Sequence, residues 1–550
     1  MSIAVECNRL ASAVQRRRRW LIPVLLTCAY CAQCLWFVGT QSLTYDEPAH
    51  IVAGLNAWRQ HTFNQWNDQP PLARLLLTAP LVPGNWRILP LPQPLNGAFW
   101  TVSISPGPER LAWFTRPINV VLGIVLAWLL WIAARHMFSE ATANFALALF
   151  AFSPPLIAHF SLATVDGTMT VLLFATALSV AYWRHHPSWP TTLGVGVVVG
   201  LFLISKFSAL PVAALALGLM ATTGAIGHFS ERLVKMAAAI TVGAVIVWAS
   251  YFFQNGAITV HSGRLGGAYG RGRSVVVPVK GLLERTVHLP APDYFAALGG
   301  VIQHNVRGQQ AFFLGEIRKN GGWRFYFPAV VALKWPPLIW ILAGTTFMLI
   351  LAGRARATDF WLLMSFPACL FGLALLSNVN VGDRYILPVF PFLLLAGAGS
   401  REWIKGRRLA VPLVALIILL QIADCLRYAP DYLSYFTPFV SPARSGTLLT
   451  DSNLDWGQGL IALRRYQREH PTERLSLAYF GSVDPAQYGV CVSPLGEDDH
   501  PTGTVVVSAT HLSGQYLQNS DAYRWLLKYP LKAVLNHSLY VFDVPATVTP

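Results

Sequence analysis

The stretch Tyr45-Asp46-Glu47-Pro48-Ala49-His50 places two carboxylates and an imidazole directly after the first long apolar run of the chain. A third carboxylate, Asp68, follows within Asn67-Asp68-Gln69-Pro70-Pro71. Ionisable groups beside a membrane cost free energy unless they have charged partners or a function. Side chains of these types can move protons and stabilise developing charge. We therefore expect chemistry at a membrane face.

The composition requires much of the chain to lie in a membrane. Of 550 residues, 54% are hydrophobic and only 12% are charged, too few to cover the surface of a soluble protein. The net charge of +15 fits basic residues retained on the cytoplasmic side, so it does not indicate a nucleic-acid partner. Cys28, Cys31 and Cys34 share one apolar helix, where packing is a simpler role than zinc binding.

Apolar runs of spanning length predict eleven transmembrane helices. A basic run, Arg16 to Arg19, precedes the first of them, which we interpret as a signal anchor. The run 191–227 is too long for one helix and contains Lys206, where we divide it. The predicted spans are 20–39, 112–134, 141–160, 167–183, 190–205, 207–227, 236–253, 328–352, 358–377, 385–400 and 409–426.

The distribution of Lys and Arg orients these spans, because basic residues are retained on the cytoplasmic side. With a cytoplasmic N-terminus, the short outside turns hold only Lys206 and Arg384. The inside segments then hold Arg16 to Arg19, Arg135, Arg184, Arg232, Lys235, Arg354, Arg356, Arg401, Lys405, Arg407 and Arg408.

The predicted architecture is a polytopic α-helical membrane protein with a basic cytoplasmic N-terminus (1–19) and a transmembrane domain (20–426). That domain has two long outside loops, a first loop (40–111) and a second loop (254–327). Apolar residues 71–82 of the first loop are too few to span and predict a helix at the membrane interface. The second loop has nine basic and three acidic residues, which fits either an anionic ligand or attraction to anionic lipid headgroups.

Alternating strand-like and helix-like runs predict a small α/β domain at the C-terminus (427–550), on the outside face. The strand-like runs are 446–450, 475–480, 504–508 and 539–544, and the helix-like runs are 458–469 and 521–528. The polar turn Asp451 to Gln458 is typical of a helix cap, with a contact to a sugar or a peptide as the alternative.

Ionisable residues from turns that are distant in sequence collect on one predicted face. Each one alone could cap its helix or extend toward water. As a set, cations beside carboxylates suit a reaction with an anionic leaving group and a nucleophile that must lose a proton. Phosphate-linked substrates meet that description. The set comprises Asp46, Glu47, His50, Asp68, Arg116, Asp166, Lys206, Asp383 and Arg384.

Several short motifs contain these residues, in a recognisable order: Asp46-Glu47-Pro48, Pro70-Pro71-Leu72, Thr164-Val165-Asp166, Lys206-Phe207, Phe312-Phe313-Leu314-Gly315-Glu316 with Tyr326-Phe327-Pro328, and Arg384-Tyr385-Ile386-Leu387-Pro388-Val389-Phe390-Pro391. In order and placement they resemble the C-superfamily of integral membrane glycosyltransferases, in the branch of protein O-mannosyltransferases and the lipid A aminoarabinose transferase. The resemblance covers nearly the whole chain. Asp451 to Gln458 with Tyr479 to Pro485 is similar to the tail of some bacterial members.

The resemblance implies an inverting transferase that takes a sugar from a polyprenyl-phosphate carrier on the non-cytoplasmic face. The acceptor would be a hydroxyl or phosphate of a glycolipid, a glycan or a protein. Asp46 is the expected base for the acceptor, and Glu47 and Asp166 are further carboxylates of the catalytic site. This chain has Gln69 where many relatives carry Lys or His, so Arg74 is expected to replace that contact. The expected contacts to donor phosphate and sugar are His50, Arg74, Arg116, Lys206, Asp383 and Arg384.

A divalent metal ion could share the charge of the departing phosphate, with Glu47 and Asp68 as the expected ligands and His50 as a further candidate. No other cofactor is expected. The expected location is a bacterial inner membrane, with the active site and C-terminus on the periplasmic face. Two other functions stay open. One is a transporter or flippase for a lipid-linked glycan, although no internal repeat is visible. The other is a non-catalytic membrane assembly protein.

Overall fold

The computed structural model describes residues 2–63, 68–91, 101–223, 228–263, 273–277, 284–353 and 359–545. Asn67, Arg354 and Arg356 lie outside the described residues. The α-helices of the described part are α1 Ser2–Thr40, α2 Glu47–Gln60, α3 Leu72–Thr78, α4 Pro108–Met137, α5 Glu140–Ala151, α6 Pro154–Phe160, α7 Asp166–His185, α8 Trp189–Leu203, α9 Ala209–Thr222, α10 Phe229–Ser250, α11 Pro292–Arg307, α12 Tyr326–Lys334, α13 Pro337–Leu351, α14 Phe360–Leu375, α15 Phe390–Gly399, α16 Arg401–Ile404, α17 Ala410–Leu426, α18 Pro442–Leu448, α19 Leu460–Glu469 and α20 Ala509–Leu512.

Strands occur only outside the apolar helical part among the described residues. They are β1 Arg87–Pro90, β2 Val102–Ser105, β3 Asn255–Ser262, β4 Ser274–Val277, β5 Arg285–Pro290, β6 Ala311–Phe313, β7 Glu316–Arg318, β8 Leu475–Ala478, β9 Val492–Pro494, β10 Gly503–Ser508, β11 Leu531–Leu535 and β12 Leu539–Val544. The pair β1–β2 lies in the first loop, and the second loop has the sheet β4-β3-β5 and the hairpin β6–β7.

Three described helical segments are long and apolar enough to cross a membrane: Trp20–Thr40, Pro108–Met137 and Phe229–Ser250. Two bent helix pairs, α5 with α6 and α12 with α13, raise the number to five if each is one span. Other apolar helices are shorter, in the range of 10–17 residues. The number of eleven spans therefore stays a prediction.

Proline explains where the structure departs from the predicted spans. Residues 141–160 and 328–352 were each expected to form one helix, and this is wrong. The chain bends by 65° between α5 and α6, at Pro154, and by 114° between α12 and α13, at Pro336 and Pro337. Proline has no backbone N–H and disfavours a helical conformation in the residue before it. The predicted break at Lys206 is confirmed, since α8 ends at Leu203 and α9 begins at Ala209.

The first loop folds back as two short packed helices, α2 and α3. The short helix expected over 71–82 is confirmed as α3 followed by a 3₁₀ turn, Ala79–Leu81. The two helices approach closely at Gly54, where an added Cβ would lie 2.4 Å from the carbonyl oxygen of Arg74. This close packing sets the position of the residues at the start of α2.

The C-terminal segment contains a mixed sheet of five strands in the order β11-β12-β10-β8-β9. Strand β10 pairs in parallel with β8 and antiparallel with β12. Three predicted strand runs are confirmed as β8, β10 and β12, and the helix-like run 458–469 is confirmed as α19. The strand expected over 446–450 is wrong, because Pro442 begins helix α18 there. The run 521–528 forms only a 3₁₀ helix, Arg524–Lys528.

The C-terminal sheet shares a hydrophobic core with the first loop. Buried Leu477, Val506 and Val541 of the sheet belong to the same cluster as Ile51 and Leu77 of α2 and α3. Burial of such side chains contributes roughly 1.5–3 kcal/mol each. The sheet therefore holds the first loop against the membrane helices from one side.

Candidate active site

Asp46 stands at the N-terminal end of α2 and forms an ion pair with Arg384. The Nη1 group of Arg384 donates a hydrogen bond of 2.8 Å to Oδ2 of Asp46. The Asp46 side chain is 32% exposed, whereas that of Arg384 is 12% exposed. Among the described residues, Oδ1 of Asp46 has no hydrogen-bond partner. One oxygen of this carboxylate thus holds the arginine, and the other can meet a substrate.

Arg384 lies in a 3₁₀ turn, Asp383–Tyr385, between α14 and α15. Its Nε is buried and has no hydrogen-bond partner among the described residues. Burial opposes the charged form, yet the negative charges of Asp46, Asp166 and Asp451 raise the pKa of Arg384 above its usual range. The guanidinium is therefore a permanent cation with an N–H left to offer an anion.

A second ion pair lies beside the first. The Nζ of Lys206 donates to Oδ1 of Asp166 at 2.6 Å and lies 4.4 Å from the centre of the Tyr385 ring. Asp166 is the first residue of α7, where the helix dipole favours a negative charge. Its Oδ2 is buried and has no hydrogen-bond partner within the described ranges. The Tyr385 ring is also 5.4 Å from the guanidinium carbon of Arg384, so it contacts the cations of both ion pairs.

His50, Arg74 and Asp68 form one side of the site. Arg74 of α3 makes a salt bridge to Asp68. Its Nε lies 3.4 Å from Nδ1 of His50, one turn after Asp46 on α2. Burial, with the charge of Arg74, lowers the pKa of His50 to about 4. His50 is therefore neutral at ordinary pH, and Arg74 provides the cation on this side.

Glu47 and Arg116 are buried away from this surface. Both side chains are fully buried, and Arg116 donates from Nε at 2.9 Å and from Nη2 at 2.8 Å to the Glu47 carboxylate. Glu47 also accepts from the backbone N–H of Thr44 and of Ala163. Burial alone would raise the pKa of Glu47, but the charge of Arg116 and these hydrogen bonds lower it. This geometry favours a positioning role over the predicted contacts with substrate.

Asp383 also faces inward rather than toward a ligand. Its Oδ1 lies 3.0 Å from Nε2 of buried His159, and its backbone N–H donates to Oδ1 of Asn453 at 3.1 Å. Burial alone would raise the pKa of Asp383, but the charge of His159 and the hydrogen bond between the two side chains lower it. Asp383 thus anchors the turn that carries Arg384.

The carboxylates expected to bind a metal do not form a ligand set. Glu47 is occupied by Arg116, and Asp68 is paired with Arg74. Among the described residues, no three His, Cys, Asp or Glu side chains are grouped closely enough to hold an ion. The metal ion stays a prediction without support from these side chains.

Four residues at the site are absent from the set of catalytic and binding residues expected from the sequence: Tyr385, His159, Asp451 and Trp456. Tyr385 lies within the motif that starts at Arg384. Asp451 and Trp456 lie in the polar turn that was expected to cap a helix. That expectation is wrong, because α19 begins after Gly459 without any side-chain cap. Nothing in the sequence around His159 points to Asp383.

Part of this chain is similar to a known protein family. Residues 109–251 match the family model described as dolichyl-phosphate-mannose-protein mannosyltransferase. The matched segment contains Arg116, Asp166 and Lys206 and ends before Arg384. The structure of the Saccharomyces cerevisiae protein O-mannosyltransferase Pmt1-Pmt2 complex bound to the sugar donor aligns with a TM-score of 0.51 and 10% identity, over 74% of this chain and 90% of that one. The resemblance inferred from the sequence is confirmed.

The yeast structure shares the fold of this chain. A second structure, ArnT from Cupriavidus metallidurans bound to undecaprenyl phosphate, aligns at 14% identity and a TM-score of 0.47, over 96% of this chain and 99% of that one. No curated protein sequence matches the chain. The family model and the yeast structure are both of mannosyltransferases, and the apolar helices make this chain an integral membrane protein.

Proposed function

We propose that the chain is an inverting glycosyltransferase that moves a sugar from a polyprenyl-phosphate donor to an acceptor hydroxyl or phosphate. The observation that carries this proposal is the Asp46–Arg384 ion pair, in which Oδ1 of Asp46 and Nε of Arg384 have no hydrogen-bond partner among the described residues. The match to the mannosyltransferase family and the shared fold with a donor-bound mannosyltransferase support a lipid-phosphate sugar as donor.

The reaction needs a base for the acceptor and a site for the departing phosphate. Oδ1 of Asp46 takes the proton from the acceptor, whose oxygen then bonds to the anomeric carbon. The bond from that carbon to the phosphate oxygen breaks, and its electron pair stays with the lipid phosphate. A single displacement of this kind inverts the anomeric carbon.

The cations at the site suit the departing phosphate. The Arg384 guanidinium carbon lies 5.4 Å from the centre of the Tyr385 ring, and Nζ of Lys206 lies 4.4 Å from it, so both cations are close together. Arginine binds phosphate through a planar set of N–H groups, and lysine acts as a point charge. Arg74 is the third cation, on the side of His50. Asp166 orients Lys206, and Glu47 with Arg116 positions the first loop.

Donor turnover tests the proposal without knowledge of the acceptor. The purified protein is mixed with a panel of undecaprenyl-phosphate-linked sugars and a lipid extract or peptide pool as acceptor. We expect release of undecaprenyl phosphate from one donor and opposite anomeric configuration in the product. Absence of release from every donor, in a protein that remains folded, would overturn the proposal.

The side of the membrane is a separate part of the proposal, in which this site and the C-terminal segment face the periplasm. Cys491 of the C-terminal segment is an exposed free thiol. A maleimide that does not cross membranes should label it in intact spheroplasts, and Cys491→Ser should lose that label. Labelling that requires broken membranes would place the site in the cytoplasm.

A further inference from the structure

The polar turn of the C-terminal segment, Asp451 to Gln458, binds the turn that carries Arg384. The hydroxyl of Ser452 donates to the carbonyl of Val381. Oδ1 of Asn453 accepts from the backbone N–H of Asp383 at 3.1 Å. These contacts hold the backbone on the N-terminal side of Arg384. They come from residues about seventy positions later in the chain.

Trp456 from the same turn covers the Arg384 guanidinium. Its ring centre lies 4.2 Å from Cζ of Arg384, and the side chain is buried. A cation stacked on an indole face in a dry environment is attracted by the electron density of the ring. The carbonyl of Trp456 also accepts from the backbone N–H of Tyr45 at 2.8 Å. Trp456 therefore contacts Arg384 and the residue next to Asp46.

Asp451 links this turn to a column of aromatic rings. The hydroxyl of Tyr516 donates to Oδ2 of Asp451 at 2.5 Å. The Tyr516 ring stacks on Phe480 at 5.4 Å, and Phe480 stacks on Tyr45 at 5.1 Å, both nearly parallel. Asp451 adopts φ of 57°, a conformation that non-glycine residues rarely adopt. Stacked rings with one hydrogen bond at the end form a rigid connection between Asp451 and the start of α2.

We propose that Trp456 is a positioning residue that holds the Arg384 guanidinium against Asp46, so that the C-terminal segment completes the active site, and that Asp451 acts indirectly by fixing the turn that carries Trp456. This inference rests on the proposed transferase function, because it assigns these residues to that site. A segment that only docked on the membrane helices would not need an indole face on Arg384.

A double-mutant cycle tests whether Trp456 acts through Arg384. The variants are Trp456→Leu, Trp456→Phe, Arg384→Gln and the double variant Trp456→Leu with Arg384→Gln. We expect Trp456→Leu to weaken binding of undecaprenyl phosphate and to lower donor turnover by about 3- to 30-fold, the range of cation–π energies. Trp456→Phe keeps a ring face and should recover part of the loss. In the Arg384→Gln background, Trp456→Leu should change binding by less than about twofold.

Trp525 provides the matched control, since it lies in the 3₁₀ helix Arg524–Lys528 of the same segment and its ring contacts His500 in a tilted arrangement, with the ring centres 4.7 Å apart. Trp525→Leu should change thermal stability without changing binding of undecaprenyl phosphate. Equal weakening by Trp525→Leu and Trp456→Leu would overturn the inference. So would additive effects of Trp456→Leu and Arg384→Gln.

Asp451 accepts hydrogen bonds on both oxygens, one from the hydroxyl of Tyr516 and one from the backbone N–H of Ser452, and asparagine can accept only one of them. We expect Asp451→Asn and Tyr516→Phe each to lower donor turnover by about threefold to tenfold, the effect of one lost hydrogen bond in this turn. Unchanged rates in both variants would overturn the part of Asp451 in the inference.

The unfolding temperature separates failure of this inference from failure of the proposed function. If the wild-type protein turns over no donor and binds no undecaprenyl phosphate, the proposed function fails. The coupling of Trp456 to Arg384 is then judged from the same four variants by thermal unfolding. Non-additive shifts support the positioning contact, and additive shifts overturn it.

Discussion

Asp46 and Glu47 are adjacent in sequence, and each carboxylate is paired with an arginine, yet the two pairs differ in what surrounds them. The Glu47–Arg116 pair is fully buried and both partners are surrounded by backbone hydrogen bonds. The Asp46–Arg384 pair is partly exposed on the Asp46 side, and Nε of Arg384 has no hydrogen-bond partner in the part of the chain that the structure describes. The complete hydrogen bonding of the first pair and the incomplete hydrogen bonding of the second support the proposal that the first is structural and the second takes part in the reaction.

The difference arises at the start of α2. Asp46 precedes the helix and Glu47 is its first residue, so their side chains leave the chain in different directions. The backbone N–H of Thr44 reaches the Glu47 carboxylate at 2.6 Å and holds it inward. Neighbouring carboxylates can therefore have opposite roles, one stabilising the loop and the other open to substrate.

The largest effect is expected at the reactive pair. Asp46→Asn should lower donor turnover by about 10²- to 10⁴-fold, the usual contribution of a positioned general base. The unfolding temperature should change little, because asparagine still accepts from Arg384. The exposed Asp498 gives the matched control, and Asp498→Asn should leave both quantities at wild-type values. Full turnover in Asp46→Asn would assign the base elsewhere.

The next effect is on stability, at the buried pair. Arg116→Met should reduce the free energy of unfolding by about 3–5 kcal/mol, because it leaves the Glu47 carboxylate buried and unpaired. Thermal unfolding in detergent measures this. Arg184 forms a partly exposed pair with Asp359, so Arg184→Met should cost less than about 1 kcal/mol. Equal unfolding temperatures for the two variants would contradict the contrast between buried and exposed pairs.

A smaller effect distinguishes charge from geometry at Arg384. Arg384→Lys keeps the positive charge but loses the planar set of N–H groups that can hold Asp46 and a phosphate together. We expect donor turnover to fall by about tenfold, with a weaker affinity for undecaprenyl phosphate as the main cause. Lys206→Arg, which alters a point charge already paired with Asp166, should reduce turnover less. The reverse ranking would make Lys206 the main phosphate contact.

The remaining prediction concerns the pH dependence of stability contributed by Asp451. Burial raises the pKa of Asp451 to about 6. The folded protein therefore keeps a proton on this carboxyl between about pH 4 and 6, where an unfolded chain has lost it. Stability from this group is present at low pH and is lost as the pH rises toward 6, by at most about 3 kcal/mol.

Asp451→Asn removes this dependence, so its stability relative to wild type should increase from pH 4 to pH 6.5 and then stay constant. Asp455 has a similarly raised pKa of about 6 and is present in both proteins, so its contribution cancels. Thermal unfolding across this range measures the difference. Parallel curves for the two proteins would show that Asp451 titrates at its ordinary pKa.

Local signals in the sequence determined part of the fold. The helix break at Lys206 followed from the length of an apolar run, and α3 followed from a run too short to span. The bends at Pro154 and at Pro336 were also available from local chemistry, since proline interrupts helical hydrogen bonds wherever it falls. The length of an apolar run does not show these bends, because it counts residues and ignores where proline falls.

By itself, the sequence determined that the chain lies in a membrane, which ionisable residues are its candidates for chemistry, and which family it resembles. Only the tertiary structure decided which of these residues are paired: Arg384 with Asp46, Arg116 with Glu47, and Trp456 with Arg384. The physical reason is the distance along the chain over which each effect acts. Hydropathy and proline act over one or two helical turns, whereas Asp46 and Arg384 are 338 positions apart and meet only because packed helices and the C-terminal sheet bring their turns together.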